Sequence, residues 1–398
     1  MAIDAFVDRY QKERRNTESL KWDALEERFE DADLLPLWVA DMEFQTPETV
    51  TNALINRIQH GVFGYSLDNA DYFRSFSAWQ EKRHNIHLQK EWLRFSTGVV
   101  QSLYHLIQCF SEKGDGVLIQ PPVYYPFFHA VKDTERKLVV SPLKSENGQY
   151  RFDLKDFEEK LRVEKPKLFI LCSPHNPVGR IWDEDELLEV LSLCKKHGVL
   201  VIADEIHQDF GVGNKKFVST LNIADGSFHD CLILCNAPSK TFNLASLLHS
   251  HIIIPDDKLR RQFDQRIIFY QQTENNLLGQ LAGQTAYETG EEWLDGLLGV
   301  IRLNYEILIN RLKKFPAIIV SPLEGTYLAW IDLTTVIPRK KIKEIVQKKA
   351  QLAVDYGEWF SEECEGFIRL NLATTPTILK QAVDQLVEAL ESYEGEFN

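Results

Sequence analysis

The feature that most constrains the fold is a series of short, continuously hydrophobic runs in the middle of the chain. A run of this kind lacks the polar alternation of a half-exposed strand and is typical of a strand that is buried on both faces of a parallel sheet. Five such strands are predicted, at residues 116–120 (GVLIQ), 167–173 (KLFILCS), 198–204 (GVLVIAD), 231–235 (CLILC) and 251–255 (HIIIP).

Amphipathic stretches separate these runs and predict helices. The clearest is residues 183–198 (DEDELLEVLSLCKKHG), with acids in its first turn and lysines shortly before a closing glycine. This charge order suits the dipole of a helix, and glycine is common where a helix ends. Repeated alternation of strand and helix predicts an α/β fold with a doubly wound sheet.

The chain has 398 residues, which is longer than a single small core, so two domains are expected. Residues 46–288 carry the strand–helix alternation and form the predicted large domain. The two ends, residues 1–45 and 289–398, have a shorter rhythm and are predicted to fold together into a smaller domain. A long helical stretch around residues 258–288 is expected to join the two.

Composition restricts the classes of partner. The formal net charge is −14 and the pI is about 5.3, which argues against a nucleic-acid or an anionic membrane partner. No apolar run approaches the roughly 20 residues of a membrane span, and the charged N-terminal residues do not resemble a signal peptide. The six cysteines form neither a C-x-x-C pair nor a zinc-spaced cluster. We therefore expect a cytoplasmic protein with reduced, buried thiols, no metal site and a small-molecule partner.

Three polar clusters follow predicted strands. Asn176 lies in SPHNPVG, Asp204 in ADEIH and Lys240 in APSK. Taken singly, each has an ordinary explanation: a turn, the start of a helix and a solvated lysine. Ligands of open α/β sheets bind beyond the carboxyl ends of the strands, so three clusters at equivalent places predict one shared site.

A lysine, an aspartate and an asparagine together suit pyridoxal phosphate (PLP). The lysine amine can form a Schiff base with the aldehyde, and the aspartate can keep the ring nitrogen protonated so that the ring withdraws electrons. A dinucleotide is less favoured, because no G-x-G-x-x-G follows a strand, and no P-loop is present.

Motifs along nearly the whole chain, from residue 20 to residue 373, resemble the fold-type I PLP enzymes of the class I/II aminotransferase superfamily. Eight motifs carry the resemblance in order: PLWVADMEF, TGVV, PPVYYPFF, CSPHNPVGRIW, ADEIHQDF, APSKTFNLA, EGTYLAWID and FIRLNLA. Within the superfamily the chain is most similar to the carbon–sulfur β-lyase branch, typified by cystalysin and the MalY/PatB-type cystathionine β-lyases. The resemblance implies a large, mostly parallel mixed-sheet domain, a smaller α+β domain, and a homodimer with shared active sites.

The resemblance also implies roles around the cofactor ring. Lys240 would hold the cofactor covalently and act as acid and base on the substrate. Asp204 would pair with the ring nitrogen, and Asn176 would hydrogen-bond the phenolic oxygen. Tyr124 would stack on the ring and His207 would lie near it; a packing role is the alternative for both.

A second set of implied roles concerns the phosphate and the substrate. The backbone amides of Val99 and Val100, at the start of a helix, would meet the phosphate, and the hydroxyl of Ser239 could add a contact. Tyr65 would reach the phosphate of the partner subunit. Arg369 would bind the substrate α-carboxylate as a bidentate fork.

The chain departs from the family pattern at three positions near these residues. Ser246 replaces the usual glycine after FN-hydrophobic-Ala, and Gln101 stands where the branch often has proline. Leu248 occupies a position at which some related aminotransferases carry a phosphate-binding arginine. These changes bear on cofactor affinity and on the shape of the pocket.

The implied function is β-elimination of a thiol from S-substituted L-cysteines, such as cystathionine, to give pyruvate and ammonia. An aminotransferase with the same catalytic residues is the nearest alternative. A non-catalytic regulatory protein that retains the fold is a further alternative, although the presence of Lys240, Asp204, Asn176 and Arg369 argues against it.

Overall fold

The computed structural model describes residues 1–67, 70–272 and 274–395. The strands of this part of the chain are β1 (Leu35–Pro36), β2 (Leu93–Ser96), β3 (Gly116–Ile119), β4 (Lys137–Val140), β5 (Lys144–Glu146), β6 (Gln149–Arg151), β7 (Leu168–Cys172), β8 (Leu200–Asp204), β9 (Leu232–Asn236), β10 (Ser250–Ile253), β11 (Ile319–Val320), β12 (Leu328–Asp332), β13 (Leu352–Ala353), β14 (Asp355–Tyr356) and β15 (Phe367–Asn371).

The helices are α1 (Ile3–Tyr10), α2 (Leu20–Asp23), α3 (Leu25–Phe29), α4 (Glu48–His60), α5 (Ala70–His84), α6 (Val99–Phe110), α7 (Pro126–Asp133), α8 (Leu154–Glu164), α9 (Glu184–His197), α10 (Pro238–Thr241), α11 (Asp257–Phe269), α12 (Leu277–Thr289), α13 (Glu291–Leu312) and α14 (Pro376–Gly395). Short 3₁₀ segments and one π-helical segment (Glu344–Lys349) also occur.

A seven-stranded sheet forms the centre of the molecule, in the order β2-β10-β9-β8-β7-β3-β4. It contains all five strands predicted from the hydrophobic runs. Strands β4, β3, β7, β8 and β9 are parallel, whereas β10 is antiparallel to both β9 and β2. The prediction of a parallel strand at HIIIP was therefore wrong. A continuous hydrophobic run indicates that both faces of a strand are buried. Such burial is possible for a strand of either direction, so the run does not predict the direction.

The helix predicted at residues 183–198 is confirmed as α9. Asp183 caps its N-terminus by accepting from the amide of Glu186 (3.0 Å), and the Glu186 carboxylate accepts from the amide of Asp183 (3.0 Å). Gly198 ends the helix at φ 68°. This reciprocal capping box satisfies backbone donors that a helix start otherwise leaves unpaired.

The long helix expected around residues 258–288 is instead two helices, α11 and α12. Asn276 starts α12 by accepting from the amides of Leu278 and Gly279. The polar residues before Asn276 interrupt the apolar periodicity, and a capping asparagine favours a new start there. Helix α12 packs against α4 and α5.

The two chain ends pack together beside the large sheet. Helix α1 lies on α13, β1 pairs in parallel with β13, and the rings of Phe6 and Trp293 are 5.7 Å apart. Strands β11, β12, β15 and β14 form an antiparallel sheet in this region. The domain boundaries at 45/46 and 288/289 stay a prediction, and the second of them falls within the last turn of α12, which ends at Thr289.

All six cysteines are free, and four of them are buried. In the part of the chain that the structure describes, no helix combines the length and the apolar composition needed to cross a membrane. The cytoplasmic location stays a prediction.

Candidate active site

A cavity of about 190 Å³ opens at the carboxyl ends of β7, β8 and β9. The strand register places Asp204 beside Cys172 of β7 and Cys235 of β9, so the ends of the three strands meet at one edge. Eight residues predicted for the site line this cavity: Val99, Val100, Tyr124, Asn176, Asp204, His207, Ser239 and Lys240.

Lys240 lies in the short helix α10, directly after β9. Its Nζ donates to the backbone carbonyl of Ala40 at 2.6 Å, and the hydroxyl of Tyr327 donates to the same carbonyl at 2.8 Å. The pKa of Lys240 is lowered to about 8, chiefly by burial and also by the nearby Arg369, while Asp41 and Asp204 oppose the shift. The neutral fraction of the amine, which acts as a base or a nucleophile, is therefore substantial near pH 8, well below the pH at which an ordinary lysine loses its proton.

The segment that carries Ala40 is held in place by two asparagines from distant parts of the chain. The amide nitrogen of Asn371 donates to the carbonyls of Val39 and Asp41, both at 2.6 Å. The amide of Asn243, three residues after Lys240, donates to the carbonyl of Met42 at 3.1 Å and accepts from the Met42 amide at 3.2 Å. The backbone on both sides of the carbonyl that meets Lys240 is thus fixed by side chains from two distant regions of the chain.

Asp204 is the last residue of β8 and is 5% exposed. Its carboxylate accepts from the amide of Ile206 at 3.1 Å. Burial raises the pKa of Asp204 to about 7, and the Ile206 amide and Lys240 oppose the shift. A carboxyl group in this state gains from a cationic partner, because a nearby positive charge favours its ionised form.

Arg369 lies outside the cavity lining but contacts it through Asn176. Its guanidinium donates to the side-chain oxygen of Asn176 at 2.9 Å and to the carbonyl of Trp38 at 3.1 Å, and it pairs with Asp355. The pKa of Asp355 is raised to about 6 by burial, against the opposing effect of the nearby Arg369. Nε of Arg369 is buried and has no hydrogen-bond partner among the described residues.

Tyr124 and His207 face the cavity from different elements. Burial raises the pKa of the Tyr124 phenol and lowers that of His207 well below its usual value, so the imidazole is neutral. Nδ1 of His207 is buried without a hydrogen-bond partner among the described residues. The His207 ring lies edge-on to Tyr327, with centroids 5.7 Å apart.

The N-terminus of α6 forms one end of the cavity. Val99 and Val100 are its first residues, so their amides are free of helical hydrogen bonds. The side-chain oxygen of Gln101 accepts from the amide of Thr97 (3.2 Å) and from the hydroxyls of Ser96 (3.1 Å) and Thr97. Gln101, which departs from the family pattern, therefore pins the loop that leads into this helix.

Tyr65 is not brought to this cavity. It is 98% exposed and lies in the segment 61–67, beside Asn275 and Asn276. Exposed Phe63 and Leu67 flank it. Its predicted role toward a partner subunit does not require it to lie near Lys240 of its own chain.

Sequence reasoning did not identify three groups that shape the site: the carbonyl of Ala40, the hydroxyl of Tyr327 and the carboxylate of Asp355. The first two lie inside motifs that were quoted for the family resemblance, WVADM and GTYLAW, but the motifs did not indicate that these groups contact the lysine. Every residue has a backbone carbonyl, so the contact made by that of Ala40 cannot be predicted from the residue type. The pairing of Asp355 with Arg369 arises only because β14 and β15 are neighbours in the sheet.

The raised pKa of Asp204 predicts a pH-dependent difference between the wild-type apoprotein and Asp204→Asn. The folded state binds the proton more tightly than the unfolded state, so this stabilisation is present below about pH 4 and is lost as the pH rises through about 7. Between pH 4 and pH 8 the unfolding free energy of the wild type should fall by about 4 kcal/mol relative to the variant. Denaturant titrations at several pH values measure this difference, and parallel pH profiles would contradict it.

The chain matches one known protein family along most of its length. The sequence profile of the family "Aminotransferase class I and II" matches residues 33–386. The chain belongs to this family, and the mixed, mostly parallel sheet predicted from its sequence is confirmed.

Individual relatives show which branch of the family the chain is similar to. The chain is 37% identical to "Cystathionine beta-lyase PatB" of Bacillus subtilis, over 95% of this chain and 98% of that protein. Cystalysin of Treponema denticola, solved with pyridoxal 5'-phosphate, has a TM-score of 0.92 and 33% identity over 96% of this chain and 98% of that one. The PLP-bound C-S lyase of Staphylococcus hominis has a TM-score of 0.89 and 32% identity over 95% of this chain and 96% of that one. The predicted resemblance to the carbon–sulfur lyase branch is confirmed.

Proposed function

We propose that the protein is a PLP-dependent carbon–sulfur β-lyase that releases thiols from S-substituted L-cysteines. The observation that carries the proposal is the pair formed by Lys240 and Asp204, two buried ionisable groups on one cavity, with pKa values of about 8 and about 7. Perturbed groups of opposite sign in a single cleft are typical of active sites. The substrate class follows from the lyases to which the chain is similar.

The residues present fit PLP. Asp204 lies where a carboxylate would gain from a protonated ring nitrogen, and the amide of Asn176 has its oxygen occupied by Arg369, so its nitrogen would donate to the phenolic oxygen. The first amides of α6 and the hydroxyl of Ser239 would meet the phosphate. When bound, PLP supplies an aldehyde for covalent attachment and a ring that withdraws electrons from the substrate.

Different residues of the chain would then remove the proton and bind the substrate. The neutral amine of Lys240 would take the proton from the substrate α-carbon, and the Ala40 carbonyl would orient that amine. Arg369 would bind the α-carboxylate, because its Nε has no hydrogen-bond partner among the described residues and can donate to that group. The thiolate would leave from the β-carbon, and addition of water to the remaining three-carbon unit would yield pyruvate and ammonia.

The test is an assay of purified protein with L-cystathionine and other S-substituted cysteines in the absence of any keto acid. Release of pyruvate and thiol in equal amounts supports the lyase. A strict requirement for a keto-acid acceptor would instead identify an aminotransferase. Failure to take up PLP, detected as the absence of a visible absorption band, would identify a non-catalytic protein that retains the fold.

The protein is also proposed to act as a homodimer in which Tyr65 of one subunit serves the site of the other. Exposed apolar side chains in one short segment support this arrangement: Phe63, Tyr65 and Leu67 on the segment 61–67 are between 58% and 98% exposed. Clustered exposed apolar side chains of this kind are a common mark of an interface.

Heterodimers distinguish a shared site from separate ones. Lys240→Ala and Tyr65→Phe can be placed on different subunits or on the same subunit and purified with two tags. If Tyr65 serves the neighbour, the different-subunit heterodimer has one intact site and about half of the wild-type rate. The same-subunit heterodimer should be slower by roughly a further tenfold, because its functional lysine meets the altered tyrosine. The reverse order would show that Tyr65 acts within its own chain, and equal rates would show that it has no role.

A further inference from the structure

His249 lines the cavity, but none of the proposed roles involves it. Strand β10 runs antiparallel between β2 and β9, with Ser250 opposite Ser96 and His251 opposite Asn236. Continuing both registers by one and two residues places His249 beside Thr97 and Pro238. It therefore lies between the loop that leads into α6 and the turn that carries Ser239, and it lines the same cavity as both.

The end of the cavity near α6 has few positive groups. Among the described residues that line the cavity, Lys240 is the only lysine or arginine, and its amine donates to Ala40. The hydroxyl of Thr97 donates to Gln101. Leu248 is apolar and its side chain is half exposed. A phosphate dianion held there by backbone amides and the Ser239 hydroxyl alone would have no ionic partner.

His249 has the properties of an additional hydrogen-bond donor to such a phosphate. It is 5% exposed, and its Nε2 is buried without a hydrogen-bond partner among the described residues. The ring is held by stacking on Phe95 (centroids 5.2 Å, 28°) and by an edge contact with Tyr72 (5.0 Å). A buried ring nitrogen that stays unpaired is unfavourable, so a fixed imidazole of this kind is expected to meet a ligand.

We propose that His249 donates a hydrogen bond to the phosphate group of the cofactor at that end of the site; this inference rests on the proposed PLP-dependent function. Burial lowers the pKa of the His249 imidazole to about 4, and an adjacent dianion would raise it. Hydrogen bonds to a charged group are the stronger kind, so the contact matters for cofactor retention.

The test compares two cofactors that differ only in the phosphate. Full-length protein is freed of cofactor and titrated with PLP and with pyridoxal, for the wild type and for His249→Phe, which keeps an aromatic ring against Phe95. The dissociation constant for PLP should rise about 10- to 100-fold, while that for pyridoxal should stay unchanged. His249→Gln, which retains a donor, should lose less. The phosphorus NMR resonance of bound PLP should shift in His249→Phe.

A matched control lies two residues away. His251 is on the same strand, but its nitrogens are paired with Tyr72 and Asn236. His251→Phe should lower the melting temperature and leave the ratio of PLP to pyridoxal affinity unchanged. Equal weakening of both cofactors in His249→Phe, or no change in either, would overturn the inference. A wild-type protein that binds neither cofactor would instead refute the proposed function itself.

Discussion

Replacement of Lys240 by alanine is expected to lower the turnover of S-substituted cysteines by at least about 10⁴-fold. The variant loses both the amine that attaches the cofactor and the base that removes the α-proton, and its neighbours cannot substitute for either. The carbonyl of Ala40 and the hydroxyl of Tyr327 would stay paired with each other, so the fold should persist. The rate of pyruvate release measures turnover, and borohydride reduction followed by mass spectrometry measures covalent attachment.

Lys21 provides the control for this experiment, because it is also a buried lysine. Its amine is fully enclosed and pairs with Glu43 at 2.6 Å. Lys21→Met removes one member of a buried ion pair and should destabilise the protein by about 3–5 kcal/mol while covalent attachment persists. Attachment of PLP to the Lys240→Ala protein at a different lysine would contradict the assignment of Lys240.

Replacement of Asp204 by asparagine is expected to lower kcat by about 10²- to 10³-fold. The amide has nearly the same shape but no negative charge, so it cannot keep a ring nitrogen protonated. Covalent attachment through Lys240 should remain, because the amine and its contact with Ala40 are untouched. The measurement therefore separates the two roles: attachment is retained while turnover is lost.

Glu205, the next residue, is the matched control for Asp204. Both carboxyls are buried and both have a pKa raised to about 7, chiefly by burial. Glu205 accepts from the hydroxyls of Ser219 and Thr220, each at 2.7 Å, and does not line the cavity. Glu205→Gln should alter stability but leave kcat within about twofold. Equal losses of kcat in the two variants would show that burial of charge, rather than its position, matters.

Much of the sheet and of the site was predictable because the signals are local. Five buried strands, the capped helix α9 and the three polar clusters after β7, β8 and β9 were all read from short segments of sequence. The clusters were expected to converge because parallel strands end at a common edge, and the structure places Asn176, Asp204 and Lys240 around one cavity.

The edges of the sheet were less predictable. Strand β2 (Leu93–Ser96) is only half-buried, and its sequence, LRFS, lacks a continuous hydrophobic run. The direction of β10 was also hidden, because its hydrophobic run reports burial alone. That direction matters for function, since it places the first residues of β10, rather than the last, at the edge where the cavity opens.

The sequence by itself determined five strands of the central sheet and helix α9, which side chains can bear charge beside a cofactor, and the family to which the chain belongs. Burial periodicity, capping and turn chemistry depend on residues that are close in sequence, so they can be recognised from the sequence alone. Only the tertiary structure decided that the amine of Lys240 meets the carbonyl of Ala40, 200 residues away, and that Arg369 meets Asn176, 193 residues away. Such contacts depend on how whole elements pack, and packing also sets the low dielectric that moves the pKa values of Lys240 and Asp204.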